Sequence, residues 1–172
     1  MGFEVTLLLI DAKDAPQILR TEGLRDSGEP DEMNEAPFSG VPLGDRYLIW
    51  ANWDDDMLDE EDFARLSRTA PVLTCDVSES SAFSACRAWR GGRMEWGIWH
   101  DGSTGGDVDS AGTLPPSAVA IIARHRAAQA AETDHVDHLF EIPIDLFVEQ
   151  GGLHYADDHG LPFTELTRGE EA

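Results

Sequence analysis

The histidines in the carboxyl-terminal third are the side chains whose spacing comes closest to a chemical site. His135 and His138 stand in DHVDH, and His154 and His159 in HYADDHG, so four of the six histidines fall within 25 residues. Imidazole beside carboxylate is a ligand set for zinc and other transition metals. The first pair, however, has i, i+3 spacing rather than the i, i+4 of zinc proteases, and no glutamate separates its members. The four residues are candidate ligands of a small metal-dependent enzyme, which is a secondary hypothesis.

A fifth histidine, His100, precedes Asp101 at the end of a predicted strand, a position that some general bases occupy. No nucleophile motif such as G-x-S-x-G accompanies it. The glycine-rich stretch GSTGG (residues 102–106) precedes acidic residues instead of a helix start with a lysine, so it does not predict a phosphate site. We therefore expect no catalytic residue and no cofactor.

An acidic block covers residues 54–62, where seven of the nine positions are Asp or Glu and none is basic. A calcium-binding loop starting at Asp54 would need glycine at its sixth position and glutamate at its twelfth, but Asp59 and Arg65 stand there. Asp59 can instead cap a helix, because the acidic residues 60–62 would then meet the positive end of the helix dipole. The second half of the block thus predicts a helix start.

The first half of the block, Asp54, Asp55 and Asp56, follows Trp53 in a predicted loop. An aromatic side chain beside concentrated carboxylates suits a basic protein partner, since aromatic anchors supply binding energy and charges speed the encounter. We predict that Trp53, Asp54, Asp55 and Asp56 bind such a partner. A solvated turn in front of a helix is the simpler alternative, and it stays open.

The charge balance is strongly acidic, with 34 Asp and Glu against 12 Lys and Arg and a formal net charge of −22. This surface repels phosphates, so direct binding to nucleic acid or to an anionic membrane is not expected. The same excess also serves solubility, as in haloadapted proteins. No leader peptide and no apolar run of about 20 residues is recognisable, which predicts a cytoplasmic protein outside the membrane.

Short apolar runs bounded by turn residues predict strands at 3–10, 46–52 and 71–78, then a hairpin over 83–100. The main helices are predicted at 59–69 and 115–131, with shorter ones at 15–24 and from Pro143 to Gly151. We expect one α+β domain over residues 1–172, with an antiparallel or mixed sheet of about five strands and the two main helices packed on one face. Residues 25–44 and 101–114 are predicted long loops, the second with a short extended piece at 107–111. The tail is predicted to add an edge strand at PFTEL (residues 162–166) and to fray over 168–172.

The hairpin turn Gly91–Gly92 predicts a detailed register, because a two-residue turn fixes every pair that follows it. Under this register Cys75 points into the core and Cys86 points out, so the two cannot form a disulfide. Trp96 is then buried, and Trp99 lies on the polar face. The predicted pairs are Trp89 with Met94, Arg87 with Trp96, Ala85 with Ile98 and Phe83 with His100.

The segments RYLIWAN, LDEEDFARLS, VLTCDVSESSAFSACRAWRGGRMEWGIWHDG and LPPSAVAIIARHRAAQ carry a resemblance to a family of small, acidic, uncharacterised bacterial proteins. The resemblance covers residues 46–150 and brings no catalytic residue with it. Such proteins are similar in size and charge to the immunity proteins that neutralise toxins delivered between bacteria. The resemblance implies a cytosolic immunity protein that covers a basic toxin; an inhibitor that mimics DNA is another alternative.

Overall fold

The computed structural model describes residues 2–54 and 57–169, and within these ranges nine strands form one sheet. In chain order they are β1 (Glu4–Asp11), β2 (Leu24–Pro30), β3 (Phe38–Leu43), β4 (Arg46–Asn52), β5 (Val72–Ser78), β6 (Phe83–Arg90), β7 (Arg93–Asp101), β8 (Asp109–Gly112) and β9 (Thr164–Arg168). The order across the sheet is β2-β9-β3-β4-β1-β5-β6-β7-β8, and every neighbouring pair is antiparallel.

The sheet is covered on both faces by four α-helices of the described residues: α1 (Ala15–Glu22), α2 (Glu60–Ser67), α3 (Ala118–Ala130) and α4 (Glu141–Glu149). Helices α1 and α2 share one core cluster with the sheet, and α3 and α4 share another with its opposite face. The prediction that the helices at 59–69 and 115–131 pack mainly on one face is therefore wrong. Among the described residues, no helix is long and apolar enough to cross a membrane.

Strand β1 is the physical reason for the two layers of helices. Side chains alternate between the faces of a strand. Val5, Leu7 and Leu9 accordingly join the cluster under α3 and α4, whereas Leu8 and Ile10 join the cluster under α1 and α2. The run VTLLLI is thus buried on both sides, and each side needs its own apolar cover.

The predicted five-strand sheet is also wrong, because the chain forms nine strands. The predicted loop 25–44 contains most of β2 and all of β3, and the loop 101–114 contains β8. In β2 only Leu24 is buried, so the alternation of apolar and polar residues that reveals a strand is missing. Pro42 of β3 lies beyond the short ladder to β9, which pairs only Ser39 and Gly40, and proline is tolerated at such positions.

The β6–β7 hairpin follows the predicted register only near its turn. Trp89 pairs with Met94 as expected, but Ala88 pairs with Trp96, so Glu95 is an extra residue that shifts the ladder. The predicted pairing of Arg87 with Trp96 is therefore wrong, and so are the two predicted pairs beyond it. Both Trp96 and Trp99 are half-buried.

The register between β5 and β6 also corrects the prediction for the cysteines. Cys86 pairs with Ile98 on one side and with Cys75 on the other, and all three side chains lie in the core under α3 and α4. Both thiols are free, and burial raises the pKa of each of them. The prediction that Cys86 points outward is wrong, because Ser78 pairs with Phe83, which places Cys86 directly opposite Cys75 on the face that α3 and α4 cover.

The predicted helix start at Asp59 is confirmed. Asp59 Oδ1 accepts hydrogen bonds from the backbone N–H groups of Glu61 (2.9 Å) and Asp62 (3.1 Å), and Asp62 Oδ2 accepts from the Asp59 N–H at 3.0 Å. We expect Asp59→Ala to lower the free energy of unfolding by about 1 kcal/mol, because two backbone donors lose their acceptor. Urea denaturation measures the loss, and Asp59→Asn, which keeps an acceptor oxygen, is the matched control. Equal losses in the two variants would contradict a capping role.

Candidate functional site

One end of the sheet gathers exposed and half-buried aromatic and acidic side chains from four separate parts of the chain. Strand β1 begins there, β4 and β5 end there, and two loops reach the same end, because Val5 pairs with Asn52 and Glu4 with Ser78. We call this surface the acidic end. It comprises Phe3, Glu4, Glu32, Met33, Glu35, Trp53, Asp54, Asp157 and Asp158.

Backbone and amide hydrogen bonds hold these segments in place. The Trp53 N–H donates to the Glu4 carbonyl at 2.9 Å, so the residue after β4 is tied to the start of β1. The Asn52 side-chain amide donates to the carbonyls of Asn34 and Ala36, both at 2.8 Å, and thereby fixes the loop before β3. Hydrogen bonds consequently fix two segments of the acidic end, the residue after β4 and the loop before β3.

Trp53 is half-buried, and its indole belongs to a polar network on the α1–α2 face of the sheet. Its Nε1–H donates to Thr6 Oγ1 at 2.9 Å, and the Thr6 hydroxyl donates to Asp76 Oδ1 at 2.6 Å. Arg87 Nη1 donates to the other oxygen, Asp76 Oδ2, at 3.2 Å, and lies 3.5 Å from Glu60 Oε1. The ring of Trp53 is therefore oriented by a buried chain of hydrogen bonds while one part of it stays accessible.

Three clefts adjoin one another along the acidic end. The Trp53 cleft, of about 900 Å³, includes Phe38, Asp54 and Arg168 in its lining, and Arg168 also lies over the Phe38 ring and pairs with Glu22. A bridging cleft of about 370 Å³ shares Trp53 and Asp54 with it. The Phe3 pocket, of about 240 Å³, shares Phe3 with the bridging cleft. A partner protein can therefore contact the three clefts as one continuous surface.

The arginines of the described residues do little to neutralise this surface. Seven of them pair with carboxylates of this chain, and these pairs lie mostly on the helices and on the β6–β7 hairpin. Glu32, Glu35, Asp54, Asp157 and Asp158 form no ion pair within the described residues and are exposed. Their negative charge is accordingly available to a basic molecule.

The predicted partner-binding residues are in part described by the structure. Trp53 and Asp54 lie side by side at the junction of two clefts, as the hypothesis requires. Asp55 and Asp56 lie outside the described residues. No sequence motif predicted Phe3, Met33 or the acidic residues at 157 and 158 as part of this surface. Phe3 and Met33 are 42% and 80% exposed, and only the tertiary structure brings Phe3 beside Trp53 and Met33 beside Phe3.

The four candidate metal ligands do not converge. His138 Nε2 pairs with Glu132, and His154 Nε2 pairs with Glu141 Oε2 at 3.0 Å. His135 lines a cleft that also contains His100 and Asp137. His159 Nε2 bonds to the backbone carbonyl of His154 at 2.9 Å. Within the described ranges, no three His, Cys, Asp or Glu side chains form a group that could hold a metal ion. The hydrogen bond that His154 Nε2–H donates to the Glu141 carboxylate raises the pKa of His154.

His100 makes its contact with a residue far away in sequence. Its Nε2 lies 2.8 Å from Asp137 Oδ2, while Asp101 accepts hydrogen bonds from Ser103. The His100 side chain is buried, and Nδ1 has no hydrogen-bond partner in the part of the chain described. The adjoining cleft of about 300 Å³ has no serine, threonine or cysteine among its described lining residues. A histidine–carboxylate pair without a nucleophile does not define a hydrolytic site.

Comparison of the chain with protein-family models, with curated proteins and with solved structures found no match. The geometry and charge of the acidic end are therefore the features from which a function can be inferred.

Proposed function

We propose that this chain is a cytosolic protein-binding module that receives a basic protein at the acidic end, and that it acts as an immunity protein against a basic toxin or effector. The observation that carries the proposal is the continuity of the three clefts, with Phe3 and Trp53 at their junctions and unpaired carboxylates around them. Aromatic side chains among charged groups are the composition of interface hot spots.

Charge favours a basic partner over other classes of partner. The net charge of −22 would repel nucleic acid and anionic lipid, whereas it accelerates the encounter with a basic protein. The two free cysteines, which face each other across β5 and β6, fit the reducing environment of the cytosol. The metal-dependent enzyme has no ligand group of three among the described residues to support it.

The direct test uses the product of the gene immediately upstream in the native genome. We expect the two purified proteins to form a complex, and co-expression of this chain to restore growth of a host that produces the upstream protein. If the two proteins form no complex and co-expression does not restore growth, the immunity function is refuted for that pair.

Neutralising the carboxylates of Asp54, Asp55 and Asp56 should slow association with that protein. Replacing Asp54, Asp55 and Asp56 together by Asn should reduce the association rate about tenfold at low salt, and the salt dependence should become flatter. Stopped-flow kinetics at two ionic strengths provides the measurement.

The matched control replaces Asp109 and Asp134 by Asn and Glu149 by Gln, which removes the same charge from exposed positions outside the acidic end. If both triple variants slow association equally, the effect comes from net charge alone, and the three aspartates 54–56 do not form a docking surface.

A further inference from the structure

The Phe3 pocket has walls that differ from those of the other two clefts. Four aromatic residues, Phe3, Trp50, Tyr155 and Phe163, line it together with the carboxylates of Glu32, Asp157 and Asp158. Phe3 lies edge-on to Trp50 at 6.2 Å and to Tyr155 at 5.1 Å between ring centroids. The pocket is thus apolar inside and negative at its rim.

The aromatic side chains of the pocket are held in place by burial and by hydrogen bonds. Tyr155 and Phe163 are 5% and 4% exposed, and the Trp50 indole N–H donates to Asn52 at 3.0 Å. Glu79 connects the two sides of the pocket, since one of its oxygens accepts from the Tyr155 hydroxyl and the other from the Phe3 N–H, both at 2.8 Å. Phe3 is the one exposed member of the four aromatic residues, so a bound side chain would contact its ring first.

The rim is negative without local compensation. Glu32, Asp157 and Asp158 are exposed, and none of them pairs with an arginine or a lysine of the described chain. The described lining contains no arginine or lysine, and its one histidine, His159, bonds through Nε2 to a backbone carbonyl. A cation at the mouth of the pocket would meet the exposed Phe3 ring together with carboxylates, and each of them favours positive charge.

The size of the pocket selects a single side chain. About 240 Å³ is below the ~300–1,000 Å³ of pockets that hold drug-sized ligands. Arginine matches both walls and rim, because a planar guanidinium stacks on aromatic rings and forms paired hydrogen bonds with carboxylates. A lysine ammonium, which is more strongly hydrated, fits the apolar interior less well.

We propose that the Phe3 pocket receives one arginine side chain of the partner protein. This inference rests on the proposed function, because it assigns a residue type to the basic partner. The arginine would anchor one end of the interface, and Trp53 would contact the partner at the other end.

The test titrates the full-length protein with N-acetyl-Gly-Arg-Gly-amide and follows the indole N–H signals by NMR. We expect a saturable shift of the Trp50 signal with a dissociation constant on the order of 1 mM, and no shift of Trp89, which lies in the other core cluster. The same peptide with citrulline, a neutral isostere of arginine, should bind about tenfold more weakly, since the cation–π and ionic contributions are lost.

Three variants localise the effect. Asp157→Asn combined with Asp158→Asn should weaken binding of the arginine peptide several-fold, and Phe3→Leu, which keeps an apolar side chain without a π face, should do the same. Asp134→Asn, an exposed carboxylate elsewhere, should leave binding unchanged. Equal shifts from the arginine and citrulline peptides, or a shift insensitive to these variants, would overturn the inference. Complex formation with the upstream protein is measured separately, so the pocket can fail while the proposed function stands.

Discussion

Replacing Asp76 by Ala should lower the free energy of unfolding by about 3 kcal/mol, the loss expected when one partner of a buried ion pair is removed. Asp76 is 7% exposed and accepts hydrogen bonds from both Thr6 and Arg87. Its removal leaves the Thr6 hydroxyl without its acceptor. Arg87, whose side chain is 13% exposed, keeps only the more distant contact with Glu60 and the ring of Trp99.

A double-mutant cycle separates this pair from the surrounding packing. Arg87→Met should be destabilising alone, but its cost should be smaller in the Asp76→Ala background, because no buried charge then remains unpaired. Urea denaturation of the four proteins measures the coupling. An Asp76→Ala variant within about 1 kcal/mol of the wild type would show that the network carries little of the stability.

The pH dependence of the same residue has a definite sign. Burial raises the pKa of Asp76 above its ordinary value of 3.8, although the hydrogen bond from Thr6 and the charge of Arg87 oppose the change. Between 3.8 and the raised pKa, the folded state binds a proton that the unfolded state has released, so stability increases as pH falls through this window. We expect the wild type to gain stability relative to Asp76→Asn over that range. A constant difference between the two would exclude titration of Asp76.

Replacing Trp53 by Ala should raise the dissociation constant for the basic partner about 30-fold, which corresponds to about 2 kcal/mol. The change should appear mainly as faster dissociation, since an apolar anchor acts after the encounter and the charges act before it. Surface plasmon resonance with the upstream protein measures both rates.

The controls distinguish an anchor from a structural residue. Trp53→Phe keeps an aromatic ring and loses the hydrogen bond to Thr6, so it should retain more of the affinity than Trp53→Ala. Val119→Ala removes apolar surface from a side chain that is 74% exposed on α3, outside the acidic end, and should not change binding. A folded Trp53→Ala protein with an unchanged dissociation rate would contradict the docking role.

Local signals were enough to place several elements. The predicted strands at 3–10, 46–52 and 71–78 correspond to β1, β4 and β5, and the helix predicted at 15–24 is α1, closed by Gly23 with a φ of 72°. Each of these elements has an apolar pattern or a terminal residue that acts within a few positions along the chain. The cap at Asp59 belongs to the same class.

The number of strands and the arrangement of the helices required information that local patterns lack. β2 and β8 are edge strands with mostly exposed side chains, so they show no alternation of apolar residues. The continuous apolar run of β1 was, however, a usable sign of burial on both faces. Burial on both faces predicts a layer of helices on each side of the sheet.

The sequence by itself determined the acidic character of the chain, the helix start at Asp59 and the position of Trp53 next to three aspartates. Only the tertiary structure decided that Phe3, Trp53 and the carboxylates at 157 and 158 belong to one surface, because antiparallel pairing brings the start of β1 beside the end of β4. The extra residue at Glu95 likewise decided which face holds Ile98, and the β5–β6 register decided that Cys86 lies opposite Cys75. Charge and capping depend on near neighbours in the chain, whereas strand order and register depend on contacts between segments far apart in sequence.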